Sequence, residues 1–137
     1  MDYAFDTNTI IHLMRGTDSV VECREKANKQ GASFAIPLFV HYEIKRGLII
    51  KPIPEHITAY GIICENCLVG EMTAEVWEQA ANIYAELYAK RFTVRDSDIL
   101  IAAYCIVYGY TLVTANVKDF ENMEGLLIED WTKSVGD

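Results

Sequence analysis

Met1-Asp2-Tyr3-Ala4-Phe5-Asp6-Thr7-Asn8 opens the chain, and the reading of this stretch decides the fold. Tyr3, Ala4 and Phe5 make a short apolar run of strand character. Asp6 stands where the run stops. From Asn8 onward the apolar residues Ile10, Ile11, Leu13 and Met14 recur at helical spacing. A strand that turns directly into a helix is the opening unit of an α/β sheet. A carboxylate at the carboxyl end of its first strand lies on the edge where such sheets bind ligands. Asp, Thr and Asn are also good helix N-caps, so this stretch alone leaves Asp6 and Thr7 open to a capping role as well.

Working outward, the chain keeps alternating. Thr17 to Gln30 reads as a helix, with Ser19 and Glu22 at capping-box spacing and Gly31 as its stop. Its apolar face (Val20, Val21, Ala27) is thin, which predicts a surface position. Ser33–Ile36 is a second short strand. Pro37 suits the first turn of a helix carrying Leu38, Phe39, Val40, Tyr42 and Ile44, which Gly47 ends or interrupts. Pro54 starts another, with Ile57, Tyr60 and Ile63 on one face. Cys67–Gly70 is a short strand. Thr73 caps an amphipathic helix whose stripe of Val76, Trp77, Ala80, Ala81, Tyr84, Leu87 and Tyr88 reads as core or dimer surface. Asp96-Ser97-Asp98 leads into a helix, Ile99–Tyr108, that is apolar nearly all round and therefore buried, and Gly109 stops it. Thr111–Thr114 is a strand, residues 115–120 a turn, and Leu126–Ile128 a last strand.

Strands alternating with helices predict a parallel sheet covered on both faces, with right-handed crossovers. If the chain winds first one way from the opening strand and later the other, Tyr3–Phe5 and Thr111–Thr114 become neighbours. Their carboxyl ends then form a switch-point crevice lined by Asp6, Thr114, Asn116 and Asp119.

The 137 residues predict one domain over residues 1–137, long enough for a real core. No apolar run reaches membrane-spanning length, and the N-terminus lacks the basic start and apolar block of a signal peptide, so a cytoplasmic protein without membrane contact is expected. The net charge of −8 repels nucleic acid unless cations cluster locally or metal ions intervene. The four cysteines include one CxxC pair, Cys64 and Cys67, without a second pair at zinc spacing, and the pair ends a helical segment rather than opening one. Reduced, structural thiols are the expectation.

Three further acids occupy suggestive places. Glu43 lies inside an apolar helix, Asp98 opens the buried helix, and Asp119 follows the Thr111–Thr114 strand. Singly each has a plainer role, as a solvated face residue, a charge on the helix dipole or a turn residue. Together, Asp6-Thr7-Asn8, Glu43 four residues before Gly47, Asp98 with Ile101-Ala102-Ala103, and Thr114-Ala115-Asn116 with Lys118-Asp119-Phe120 resemble the motif set of PIN-domain ribonucleases, in particular VapC-like toxins of toxin–antitoxin pairs. The resemblance runs over nearly the whole chain, in order.

The resemblance implies a three-layer α/β/α sandwich with a short, twisted parallel sheet. It implies Mg²⁺- or Mn²⁺-dependent endonucleolytic cleavage of RNA, a homodimer, and a protein antitoxin that covers the acidic groove. The core acids of the family fall on Asp6, Glu43 and Asp98, which are the expected metal ligands and catalytic residues. Where relatives often carry a further Asp, this chain has Asn116, so either Asn116 or Asp119 completes the site. The chemistry agrees with the residue types. Bare clustered carboxylates repel a phosphodiester, whereas carboxylates holding one or two hard divalent ions activate water and clamp phosphate oxygens. A site without His or Cys favours Mg²⁺ or Mn²⁺ over Zn²⁺. Thr7, Asn8 and Thr114 are placed to orient the acids, and Lys45, Arg46, Arg95 and Lys118 to meet RNA phosphates. Two rivals are a PIN-like module that binds RNA or protein without cutting, and a haloacid-dehalogenase-type phosphohydrolase with Asp6 as nucleophile. Asn8 stands where that second class wants an Asp.

Overall fold

The computed structural model describes residues 1–133. Twelve elements follow one another among them: β1 (Asp2–Phe5), α1 (Thr7–Arg15), α2 (Asp18–Lys29), β2 (Ser33–Pro37), α3 (Leu38–Ile50), α4 (Pro54–Glu65), β3 (Leu68–Gly70), α5 (Ala74–Ala89), α6 (Asp96–Tyr108), β4 (Thr111–Val113), α7 (Val117–Phe120) and β5 (Ile128–Glu129). The strands form one parallel sheet in the order β3-β2-β1-β4-β5. Tyr3 pairs with Phe34 on one side and Thr111 on the other. The first half of the chain winds outward from β1 through β2 to β3, and the second half returns to β4 and β5. The switch point therefore falls between β1 and β4, the outcome expected if the winding reverses.

Successive side chains of a strand point to opposite faces. Ala4 and Phe5 are both fully buried, as are Ala35 and Ile36 and Leu112 and Val113, so helices must cover both faces of the central strands. One face is aromatic: Phe5 stacks on Phe34 at 5.4 Å between centroids and meets the edge of Trp131 at 5.6 Å. On α6, every residue from Asp98 to Cys105 is buried, and the small Ala102 and Ala103 are fully so. At β3, a Cβ on Gly70 would land on the Tyr104 ring and hydroxyl, so only glycine lets α6 lie this close to the strand.

Several local expectations change. α3 runs straight through Gly47 to Ile50, because tertiary packing of Val40 and Ile44 outweighs one glycine of poor propensity. Ser19 does not cap α2: Thr17 holds that position, and Ser19 Oγ donates to the Thr132 carbonyl at 3.3 Å. Thr73 occupies the N-cap of α5, but its hydroxyl bonds the Tyr108 hydroxyl at 2.7 Å rather than the helix. Only part of the α5 stripe is core. Val76, Ala80, Ile83 and Leu87 are buried, while Trp77, Tyr84 and Tyr88 lie 55%, 53% and 72% exposed. The stretch read as a turn after β4 contains the short helix α7. No helix among the described residues is long and apolar enough to cross a membrane.

Candidate active site

Asp6 is the first residue beyond β1. Its N–H donates to the Val113 carbonyl at 3.0 Å, which carries the β1–β4 ladder one step past the strand. Its extended backbone, φ −75° and ψ 163°, then turns the chain into α1, for which it is the N-cap. Asp6 thus caps α1 from a position at the carboxyl edge of the sheet. Oδ1 accepts from the Thr7 N–H at 2.8 Å, and Oδ2 accepts from Thr114 Oγ1 at 2.8 Å and Asn8 Nδ2 at 3.0 Å.

The surrounding donors are tied to both strands. Thr114 Oγ1 gives its one proton to Asp6 and accepts from Asn8 Nδ2 at 3.2 Å and the Asn116 N–H at 3.0 Å, which uses its full hydrogen-bonding capacity. Asn8 Oδ1 accepts from the Ala115 N–H at 2.8 Å. Thr9, absent from the sequence-derived set, donates its hydroxyl to the Val113 carbonyl at 2.8 Å and pins the start of α1 to the end of β4. A threonine in the first turn of a helix is the only local signal of this tie, and its partner lies 104 residues away.

The other two core acids arrive on helices. Glu43, on α3, accepts from Thr7 Oγ1 at 2.7 Å through Oε1, and Arg46 Nη2 stands 3.8 Å from Oε2. Asp98, the third residue of α6, has a side chain only 8% exposed, and its Oδ2 accepts from Arg95 Nε and Nη2, both at 3.3 Å. Asp6, Glu43 and Asp98, with Thr7, Asn8, Arg95 and Asn116, line one cavity of about 220 Å³ at the carboxyl ends of β1 and β4. A roomier hollow of about 440 Å³ beside β5 is lined by Tyr3, Cys23, Lys26 and Trp131. It brings two acids, Glu129 and Asp130, together with Lys26, whereas the smaller cavity gathers Asp6, Glu43 and Asp98 from three separate elements, so the acidic cavity is the better candidate.

Electrostatics sets this cavity apart. Burial raises the pKa of Asp6 above the usual carboxylate value against three hydrogen bonds that lower it, and the Glu43 charge raises it further. Burial likewise raises that of Asp98, where Arg95 works in the opposite direction and the charges of Asp6 and Asp119 add to the rise. Desolvated, mutually repelling carboxylates of this kind mark functional sites more often than stabilising ones. Their chemistry, all oxygen with neighbouring hydroxyl and amide groups, suits a hard divalent cation. As arranged, however, no three His, Cys, Asp or Glu side chains among the described residues converge closely enough to hold an ion. Two of the acids are turned to cations of the protein, Glu43 to Arg46 and Asp98 to Arg95. The donor set fits a divalent ion once those carboxylates are released.

The remaining predicted residues divide. Asn116 lines the acidic cavity, whereas Asp119 lines an adjoining hollow with Arg95, Asp98 and Lys118 and reaches Arg95 Nη2 at 3.8 Å. Lys45 is exposed and lies outside both linings. Asp96 is exposed and is the first residue of α6, with Arg95 at the N-cap. The cysteines are free; burial pushes the Cys67 thiol up to about 11 and that of Cys105 up as well, which leaves both protonated and unreactive.

The PIN domain family model matches residues 3–126. Ribonuclease VapC2 of Rickettsia felis is 27% identical over 135 residues, spanning 97% of this chain and all of the relative. The tRNA(fMet)-specific endonuclease VapC of Salmonella typhimurium is 28% identical over 135 residues, 96% of this chain and 98% of the relative. Among solved structures, VapBC2 from Rickettsia felis bound to a DNA fragment from its promoter superposes with a TM-score of 0.88 at 26% identity, covering 96% of this chain and 99% of that one. The switch-point acids, the sheet order and a family match over nearly the whole chain agree: this chain belongs to the PIN-domain family.

Proposed function

We propose that this protein is a divalent-metal-dependent endoribonuclease and the toxin of a toxin–antitoxin pair. The observation that carries the reading is the convergence of Asp6, Glu43 and Asp98, from β1, α3 and α6, on one cavity at the sheet's switch point. The full-length similarity to VapC ribonucleases supports RNA as the substrate, and the likeness to a VapBC complex supports an antitoxin partner.

Asp6, Glu43 and Asp98 would hold Mg²⁺ or Mn²⁺, which supplies an activated water and neutralises charge on the phosphate. Asp6 is the fixed point, because three donors hold its carboxylate in one orientation. Thr7 orients Glu43, and Thr114 and Asn8 brace Asp6 against β4. Asn116 offers a neutral amide where a fourth carboxylate would add charge. Arg46, Arg95 and Lys118 flank the cavity and give an otherwise acidic protein local cations for RNA phosphates. The exposed apolar side chains Ile49, Ile50, Ile57 and Ile62 on α3 and α4, with Trp77, Tyr84 and Tyr88 on α5, supply surface for an antitoxin and a second copy of the chain.

The test is incubation of the purified protein with end-labelled RNA. Internal cleavage that EDTA abolishes and Mg²⁺ or Mn²⁺ restores is expected. Undiminished cleavage after exhaustive chelation would sink the metal mechanism, and RNA binding without cleavage in either ion would favour the non-cutting module. Light scattering at micromolar concentration tests the dimer.

A further inference from the structure

Arg95 is an odd neighbour for a cation site. It occupies the N-cap of α6, where no side-chain cap bond is made, and its side chain is 72% exposed. Yet its guanidinium directs both Nε and Nη2 at one oxygen, Oδ2 of the nearly buried Asp98, and reaches Asp119 with the same Nη2. Both bonds fall on Oδ2, so this fork occupies one of the two oxygens that Asp98 could offer a cation in the cavity. Arg95 also lines the acidic cavity itself and the adjoining hollow.

We propose that Arg95 is an internal counter-cation of the acidic cavity, which holds Asp98 in the metal-free protein and must give that carboxylate up before a divalent ion binds. This rests on the metal-dependent reading above. The physical case is one of competition for a single carboxylate. An arginine on a carboxylate occupies its lone pairs geometrically as well as neutralising its charge. The exposure of the Arg95 stem makes the exchange inexpensive, since the guanidinium passes from Asp98 to solvent or Asp119 without being buried or stranded. Once released, its fork stands at the cavity mouth, where an RNA phosphate would lie. Arg95 therefore sets the free-ion concentration at which the site loads.

The experiment is calorimetric titration of Mn²⁺ into the intact protein, without RNA, for the wild type, Arg95→Gln and Lys118→Gln. Lys118 is a second cation on the adjoining hollow, but the structure assigns it no bond to Asp98. Removing Arg95 should tighten Mn²⁺ binding by about two- to fivefold, the range of one exposed ion pair. Removing Lys118 should change it by less than about twofold, because a solvated charge without direct contact is screened. Unchanged or weaker binding in Arg95→Gln would overturn the proposal. Equal tightening in both variants would overturn it too, since net charge rather than the Asp98 contact would then be the cause. An absence of Mn²⁺ binding in all three proteins would instead overturn the metal reading on which it rests.

Discussion

Asp98 and Asp96 are two residues apart on one helix, and replacing each with Asn should give opposite results. Two residues turn an α-helix by about 200°, so the side chains face nearly opposite ways. Asp98 is buried in the cavity and Asp96 is exposed. In Asp98→Asn the side chain keeps its shape. The change loses an ion pair to a largely exposed arginine, worth up to about 1 kcal/mol. It also removes a charge that burial, Asp6 and Asp119 all disfavour, and that relief offsets the loss. Net stability should move by less than about 1 kcal/mol, which for a chain of this size is a melting shift of roughly 3 °C or less. Cleavage should fall on the order of a hundredfold or more, the scale on which one positioned charged group acts in a transition state. Asp96→Asn removes only a favourable charge from the first turn of α6, about 0.3–1 kcal/mol, and should leave cleavage intact. Thermal melts, Mn²⁺ calorimetry and the RNA assay on both variants decide the matter. Loss of Mn²⁺ binding and cleavage in Asp96→Asn with both retained in Asp98→Asn would refute the assignment.

Three further outcomes follow from particular contacts. Both Asp6 and Asp98 have raised pKa values, so their contribution to metal-free stability is fully present below the usual aspartate pKa of about 3.9 and is lost as pH rises through the folded value. In EDTA, Asp6→Asn should therefore show a flatter dependence of melting temperature on pH from pH 4 upward than the wild type, whatever its melting temperature at one pH; an unchanged dependence would contradict the burial argument. Thr114→Val strips a buried donor from Asp6 Oδ2 and should cost about 1–3 kcal/mol in urea unfolding. Its Mn²⁺ binding should weaken as well, because Asp6 is then held less firmly. Gly70→Ala drives a methyl group into Tyr104 and should destabilise by about 1–3 kcal/mol by the same measurement without touching the acidic cavity.

The sequence alone carried the alternation of strands with the longer helices and the parallel sheet, and it named three acids, Asp6, Glu43 and Asp98, that the fold brings to one cavity. Those features are written locally. Short apolar runs alternate with helical spacing, Pro54 and Gly109 mark a start and a stop, and Asp6, Glu43 and Asp98 stand at recognisable offsets from them. The pairing of β1 with β4 followed from the sequence only on the condition that the winding reverses, and the sheet order supplies that condition. The tertiary structure alone decided what depends on neighbours distant in sequence. Gly47 stays helical because Val40 and Ile44 anchor α3 in the core, and Ser19 gives up its cap for the Thr132 carbonyl. The α5 stripe splits into a buried aliphatic side and exposed aromatics because one helix face meets only so much core. Thr9 braces β4 from 104 residues away. Arg95 shows the division most clearly. In sequence it is one cation among twelve, and its contact with Asp98, three residues on, is local; only the approach of α6 to the sheet buries that carboxylate near the Asp6 charge and brings Asp119 to the same guanidinium.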